Sequence, residues 1–280
     1  MTITELSEKD MAASLAFVLP YERFCISLTA KLRARQAPAF AVRDRRGALQ
    51  GVFTFSNAGQ LFHCLPLHTE ADRAPLIQAF AAFLAARRNH VLFSVNGECH
   101  GTELVLAAIL SAMHRAPVRS QRYDFMRATS AAHAGTATVC KIVRCTPSMA
   151  KALFPLQSAY EKEEVVFNLA TYNEQVSLLA LKKALEEQAI YALYTADGAL
   201  VAKGGTNAQG TNYVQLGGVY TVPAARKKGY ASALIVRIVR DFAAQGKQVA
   251  LFVKPHNVGA QRLYARCGFE KYGVYEAAYF

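Results

Sequence analysis

The stretch from Tyr213 to Ala244 constrains the fold most tightly. It begins as a β-rich run, Tyr213 to Thr221, and ends as a helical one, from about Lys228 to Ala244. Pro223 stands between them; it has no N–H to give to a ladder and closes the strand. The chain then runs Arg226-Lys227-Lys228-Gly229-Tyr230-Ala231-Ser232 straight into the helix. The first four N–H groups of a helix have no internal partner, and that end of the dipole favours anions. Gly229 and Ala231 keep side chains out of the way, and three cations add charge. The pattern predicts a pyrophosphate cradle on a strand–turn–helix unit. Neither GxxxxGK[ST] nor GxGxxG occurs, which excludes the Walker loop and the dinucleotide fingerprint.

A basic-glycine turn in isolation is an ordinary helix start, so two further features carry weight. Gly217-Gly218 lies inside the preceding strand, where glycine marks a bulge or a close approach by a ligand. A strand splayed there leaves N–H and C=O groups for an extended, amide-bearing ligand. After the next strand the chain reads Lys254-Pro-His-Asn257-Val-Gly-Ala260-Gln-Arg-Leu263-Tyr264-Ala-Arg-Cys-Gly268-Phe269. Asn257 sits where a helix cap belongs and Gly268 where a helix ends. Tyr264 follows Asn257 by two turns, on the same face.

Together these motifs resemble those of the GNAT superfamily of acyl-CoA N-acyltransferases, over roughly the last 140 residues. The resemblance implies roles for individual positions. Backbone groups of Val219, Tyr220 and Thr221 would grip pantetheine and the acyl carbonyl. Arg226 to Ser232, including Lys227, Lys228, Gly229, Tyr230 and Ala231, would hold the pyrophosphate. Asn257 would contact CoA, and Tyr264 would protonate the leaving thiolate. Acetyl-CoA is then the implied cosubstrate and a primary amine the acceptor. A tyrosine, with a reference pKa of about 10, suits a thiolate as acid.

The expected general base is missing from its usual strands, which read TNYVQLGGVY and QVALFVKP. Gln215 has no basicity to offer. The candidates are Glu161, Glu163 and Glu164, in a charged run between the first two helices of this half. Glu164 precedes Val165-Val166-Phe167 at an acidic-to-apolar boundary and is the preferred catalytic base. A water chain is the alternative. Without a base, the chain reads as a non-catalytic acyl-CoA sensor.

The rest of the chain repeats one order of elements. Helices are expected at residues 5–19, 21–35, 71–88 and 101–114, with strands at 38–42, 49–55, 61–65, 91–95 and 123–128. After a small, polar linker, Thr129 to Thr136, strands are expected at 137–143, 189–195, 199–205, 213–221 and 248–253. Helices are expected at 147–160, 173–188 and 258–267 beside the one already described, and a closing pair of strands at 269–280. The fold class is α/β with mixed sheets, as tandem copies: a degenerate GNAT-like domain at 1–132 and a catalytic one at 137–280. The first copy lacks the basic cradle and carries Glu70 and Asp72 instead, which would repel a pyrophosphate.

Composition narrows the partners. The net charge of +12 divides evenly, with 15 basic and 10 acidic residues before 137 and 17 and 10 after it. An evenly spread excess suits an anionic ligand better than nucleic acid, which draws basic residues to one face. Six scattered cysteines without CxxC and seven histidines without ligand spacing predict reduced thiols and no metal; His63-Cys64 reads as core. No apolar run reaches roughly the 18 residues of a membrane span. MTITELSEKDM lacks a basic-then-apolar leader pattern, so a soluble cytoplasmic protein is expected.

Overall fold

The computed structural model describes residues 1–66, 70–128, 140–166 and 168–280. Its organising element is a single mixed sheet of twelve strands in the order β1-β2-β3-β4-β5-β12-β6-β11-β10-β9-β8-β7. The first half supplies β1 (Thr2–Glu5), β2 (Ala39–Arg43), β3 (Leu49–Phe55), β4 (Gln60–Cys64), β5 (Ser94–Glu98) and β6 (Arg119–Ala128). The second supplies β7 (Cys140–Arg144), β8 (Ile190–Thr195), β9 (Leu200–Gln209), β10 (Tyr213–Thr221), β11 (Gln248–Val253) and β12 (Phe269–Tyr279). The helices are α1 (Glu8–Val18), α2 (Ile26–Ala34), α3 (Arg73–Ala85), α4 (Cys99–Met113), α5 (Ala150–Tyr160), α6 (Glu174–Glu187), α7 (Tyr230–Ala243) and α8 (Val258–Arg266).

Each half therefore runs strand, two helices, three strands, helix, strand, helix, strand. The duplication becomes complete through β1, which the sequence reading leaves unassigned ahead of the helix expected at 5–19. Thr2–Glu5 is short and mostly polar, and it is ordered by its ladder with Phe40–Arg43 rather than by its own pattern. Pro20 ends α1, and a 3₁₀ turn from Leu19 to Phe24 leads to α2.

The halves interleave at the centre. β6 pairs antiparallel with β11 on one side and with β12 on the other, and β12 pairs in turn with β5. The last strand of each half thus lies beside the fifth strand of the other. The expected closing pair of strands is instead one strand, bulged between Lys271 and Gly273. A Cβ at Gly273 would lie 2.8 Å from the Phe24 ring. The expected strand 91–95 is displaced to Ser94–Glu98, because Val91 to Phe93 close around the Gly59 turn, where the Phe93 N–H bonds the Gly59 carbonyl.

Phe125 of β6 locks this centre. It is fully buried, with ring centroids of Phe252 at 4.5 Å, Tyr272 at 4.8 Å and Phe24 at 5.8 Å. These rings come from β11, β12 and the turn before α2. Truncation to Phe125→Ala is expected to destabilise the whole chain by about 3–5 kcal/mol. Chemical denaturation checks this, with one cooperative transition moving to lower denaturant.

Candidate active site

β10 and β11 run parallel and pair only from Tyr213 to Leu216 with Gln248 to Leu251. Beyond Leu216 they diverge, and the reason lies in β10. Between Gly217 and Tyr220 the ladder with β9 gains an extra residue, and Gly218 takes φ of +60°. This is a β-bulge, and only glycine occupies that backbone region cheaply. Two side chains hold it, Lys203 of β9 and Tyr160 at the end of α5. Lys203 Nζ donates to the Gly218 carbonyl at 3.0 Å, and the Tyr160 hydroxyl is hydrogen-bonded to the Gly218 backbone. Lys203 also lies 4.8 Å over the Tyr160 ring. Only 4% of Lys203 is exposed, and burial lowers its pKa to about 8. Neither residue is singled out by sequence reading; a lysine inside an otherwise apolar strand, Val201-Ala202-Lys203, is the signal that could have found Lys203.

The turn after β10 carries the predicted anion site. Lys227 and Gly229 both have positive φ, +65° and +83°. Alternating backbone hand turns successive N–H groups inward, the geometry of an anion nest. No side chain caps the start of α7, so the nest and the helix end share one unsatisfied polarity. A non-glycine residue held at φ of +65° marks local strain of the kind that collects at ligand sites.

A cavity of about 480 Å³ opens over this turn. Its lining holds Val219, Tyr220, Thr221, Arg226, Lys227, Gly229, Tyr230, Ala231, Ser232, Asn257, Tyr264 and Glu164 together. Lys228 and the candidate Glu161 are not among the lining residues. A second cavity of about 470 Å³ lies on the other side of the bulge. Glu164, Val219, Asn257, Ala260 and Tyr264 line both, so the two spaces meet there. Asn257 caps α8 through Oδ1, which accepts from the Ala260 N–H at 3.0 Å. Burial raises the Tyr264 phenol well above its ordinary range, with Tyr160 and Glu164 adding to the shift. It therefore holds its proton throughout the neutral range.

The three candidate glutamates separate clearly. They lie on a π turn, Glu161–Val165, that continues α5 and closes with the Val166 N–H on the Glu161 carbonyl. Glu161 accepts from Gln157, Tyr172 and Ser177, which ties it to α6. Glu163 forms a two-pronged pair with Arg226, at 2.7 and 2.8 Å. Glu164 lies 3.1 Å from Lys254 Nζ and 3.5 Å from Asn257 Nδ2, at the junction of the cavities. An exposed pair such as Glu163–Arg226 is worth no more than about 1 kcal/mol, so a phosphate can displace that carboxylate.

The first half closes the equivalent space. β4 and β5 are its parallel pair, matched from Gln60 to Phe62. The next residue, His63, is 2% exposed, and its ring fills the gap against Gly97 and Gly101. Its Nε2 lies 2.9 Å from Thr102 Oγ1, and burial lowers its pKa to about 3. Glu98 caps α4 where Asn257 caps α8.

Comparison with known proteins agrees with this geometry. Residues 154–269 match the model of the acetyltransferase (GNAT) family. Solved structures resemble the whole chain. A GNAT-family acetyltransferase from Colwellia psychrerythraea shares 15% identity over all of both chains, with a TM-score of 0.56. A tandem GNAT protein from the clavulanic acid biosynthesis pathway shares 13% over 99% of this chain and 98% of its own, at 0.54. A Drosophila protein shares 13% with the same coverage and a TM-score of 0.66. At these identities the likeness shows the fold, which is a GNAT fold present in tandem. No curated protein matches the sequence. No helix among the described residues is long and apolar enough to cross a membrane.

Lys203 gives a pH signature. Between about pH 8 and its ordinary 10.5, the unfolded chain holds a proton that folded Lys203 has lost. Stability contributed by this group therefore rises with pH across that window, by on the order of 1 kcal/mol per unit. In Lys203→Met the rise is absent. Denaturation midpoints from about pH 7.5 to 9.5 should show the wild type gaining on the variant; a constant difference would contradict a depressed Lys203.

Proposed function

We propose that the protein is an N-acetyltransferase that moves an acetyl group from acetyl-CoA to a primary amine within a ternary complex. One observation carries this reading: a cavity over an anion nest and a second cavity of similar volume meet at the bulge, beside Val219, Glu164, Asn257 and Tyr264. The nest from Arg226 to Ser232 takes the pyrophosphate, with Arg226 released from Glu163. Pantetheine extends along the free edge of β10, where β11 has diverged and main-chain groups can pair with its amides.

The amine enters from the second cavity. Its nitrogen lone pair attacks the thioester carbonyl, and the Val219 N–H stabilises the oxyanion. The C–N bond forms and the C–S bond breaks. The thiolate takes the proton of Tyr264, and the surplus proton of the new ammonium passes to Glu164. Lys254 and Asn257 hold Glu164 in place for this step. A non-catalytic acyl-CoA sensor is the second reading. It is favoured by the ion pair of Glu164 with Lys254, which already occupies the carboxylate that would have to take the proton.

Acetyl-CoA is expected to raise the melting temperature, and amines to release thiol from it. Tyr264→Phe should lower kcat by about 10- to 100-fold and leave acetyl-CoA affinity unchanged. Unchanged kcat in that variant would remove Tyr264 as the acid, whereas acetyl-CoA binding with no thiol release for any amine would support the sensor reading. Glu164→Gln should lower kcat/KM by about 100-fold with acetyl-CoA affinity unchanged. Steady-state kinetics, with calorimetry for acetyl-CoA, check both.

A further inference from the structure

The acceptor cavity has a chemistry of its own. Its walls come from both halves: Phe93 and Tyr123 from the first, Phe252 and Tyr279 from the second. Phe93 meets Tyr279 edge-on at 6.0 Å, and Tyr123 lies 6.3 Å from Phe252. At the mouth, Phe93 and Val165 are each 47% exposed. Large apolar side chains left open on the rim of one cavity mark a surface that a ligand covers.

The charges in this cavity are few and already paired. Among its described lining residues, Glu164 is the sole carboxylate and Lys254 the sole cation, and the two bond each other. The remaining polar side chains are neutral: the amides of Asn207, Gln215 and Asn257 and the hydroxyls of Tyr123, Tyr160, Tyr264 and Tyr279; burial pushes the phenols of Tyr123 and Tyr160 up to about 12. An acceptor carboxylate would find no unpaired cation there. A polycation would find one carboxylate to share among several ammonium groups, in a chain already carrying +12. Uncompensated charge is costly in such a site, whereas an aromatic or apolar body gains from the exposed rings.

Resting on the transferase reading, we infer that the acceptor is a primary monoamine with an aromatic or apolar body and no carboxylate, seated against Phe93 and Tyr123. The first half then has a defined role, as the wall that selects this class. Its filled groove between β4 and β5 is consistent with such a role.

The test compares phenethylamine, phenylalanine and spermidine as acceptors with acetyl-CoA on the full chain. Phenethylamine should exceed the other two in kcat/KM by about 10- to 100-fold, over spermidine because it buries an aromatic ring and over phenylalanine because it brings no uncompensated carboxylate into the site. Phe93→Ala should raise the KM for phenethylamine about tenfold, with kcat at saturating amine and acetyl-CoA affinity unchanged. Val165→Ser should act in the same direction and guards against a folding defect in the first variant. Equal or greater efficiency with phenylalanine or spermidine overturns the inference. So does a Phe93→Ala enzyme that loses all amines equally. Acetyl-CoA binding seen by calorimetry, with phenethylamine neither binding nor reacting, overturns the inference alone. Failure of acetyl-CoA itself to bind overturns the transferase reading as well.

Discussion

The ladder between β6 and β12 is the interaction on which the rest of the structure depends. It joins Arg119–Ala128 to Phe269–Tyr279 through the middle of the sheet. A parallel pair that splays apart loses hydrogen bonds along the opening, and its outer strand needs a partner elsewhere. β11 finds that partner in β6, from Ala250 to Val253. The opening of the cavity is thus supported by a strand from the other half. The same exchange brings Tyr123 on β6 and Tyr279 on β12 to the space beyond the bulge. Neither half completes the arrangement alone.

Within this frame the site is held by buried polar contacts of unequal strength. Lys203, which is 4% exposed, and Tyr160 hold the Gly218 backbone at the bulge. The acidic π turn that continues from Tyr160 reaches α8 through the half-buried contacts of Glu164 with Lys254 and Asn257, and reaches the nest through the exposed Glu163–Arg226 pair. Salt and ligand phosphates weaken that exposed pair first. The difference suits a ligand that must enter, react and leave.

Much of this was legible in the sequence because it rests on local rules. Pro223, Gly229 and Asn257 each dictate a backbone event within a few residues, and the strand end, the nest and the α8 cap stand where the sequence puts them. The double glycine at 217–218 likewise announces the bulge. Long-range pairings were not legible. β1 has no pattern of its own, and Phe269–Tyr279 looks like two strands because a bulge interrupts its alternation. The exchange of β6 and β12 depends on edges more than a hundred residues apart. Lys203 shows the same limit: its partner, the Gly218 carbonyl, is a backbone atom, and no side-chain pattern reports it.

Amide hydrogen exchange with and without acetyl-CoA tests this arrangement most directly. Slowed exchange is predicted in Gly217–Thr221 and Lys227–Ser232, where main-chain N–H groups meet the ligand. No change is predicted at His63–Leu65 or Gly97–Gly101, where His63 fills the corresponding gap. Protection confined to the first half, or none in either segment of the second, would contradict a single CoA site built on the second half.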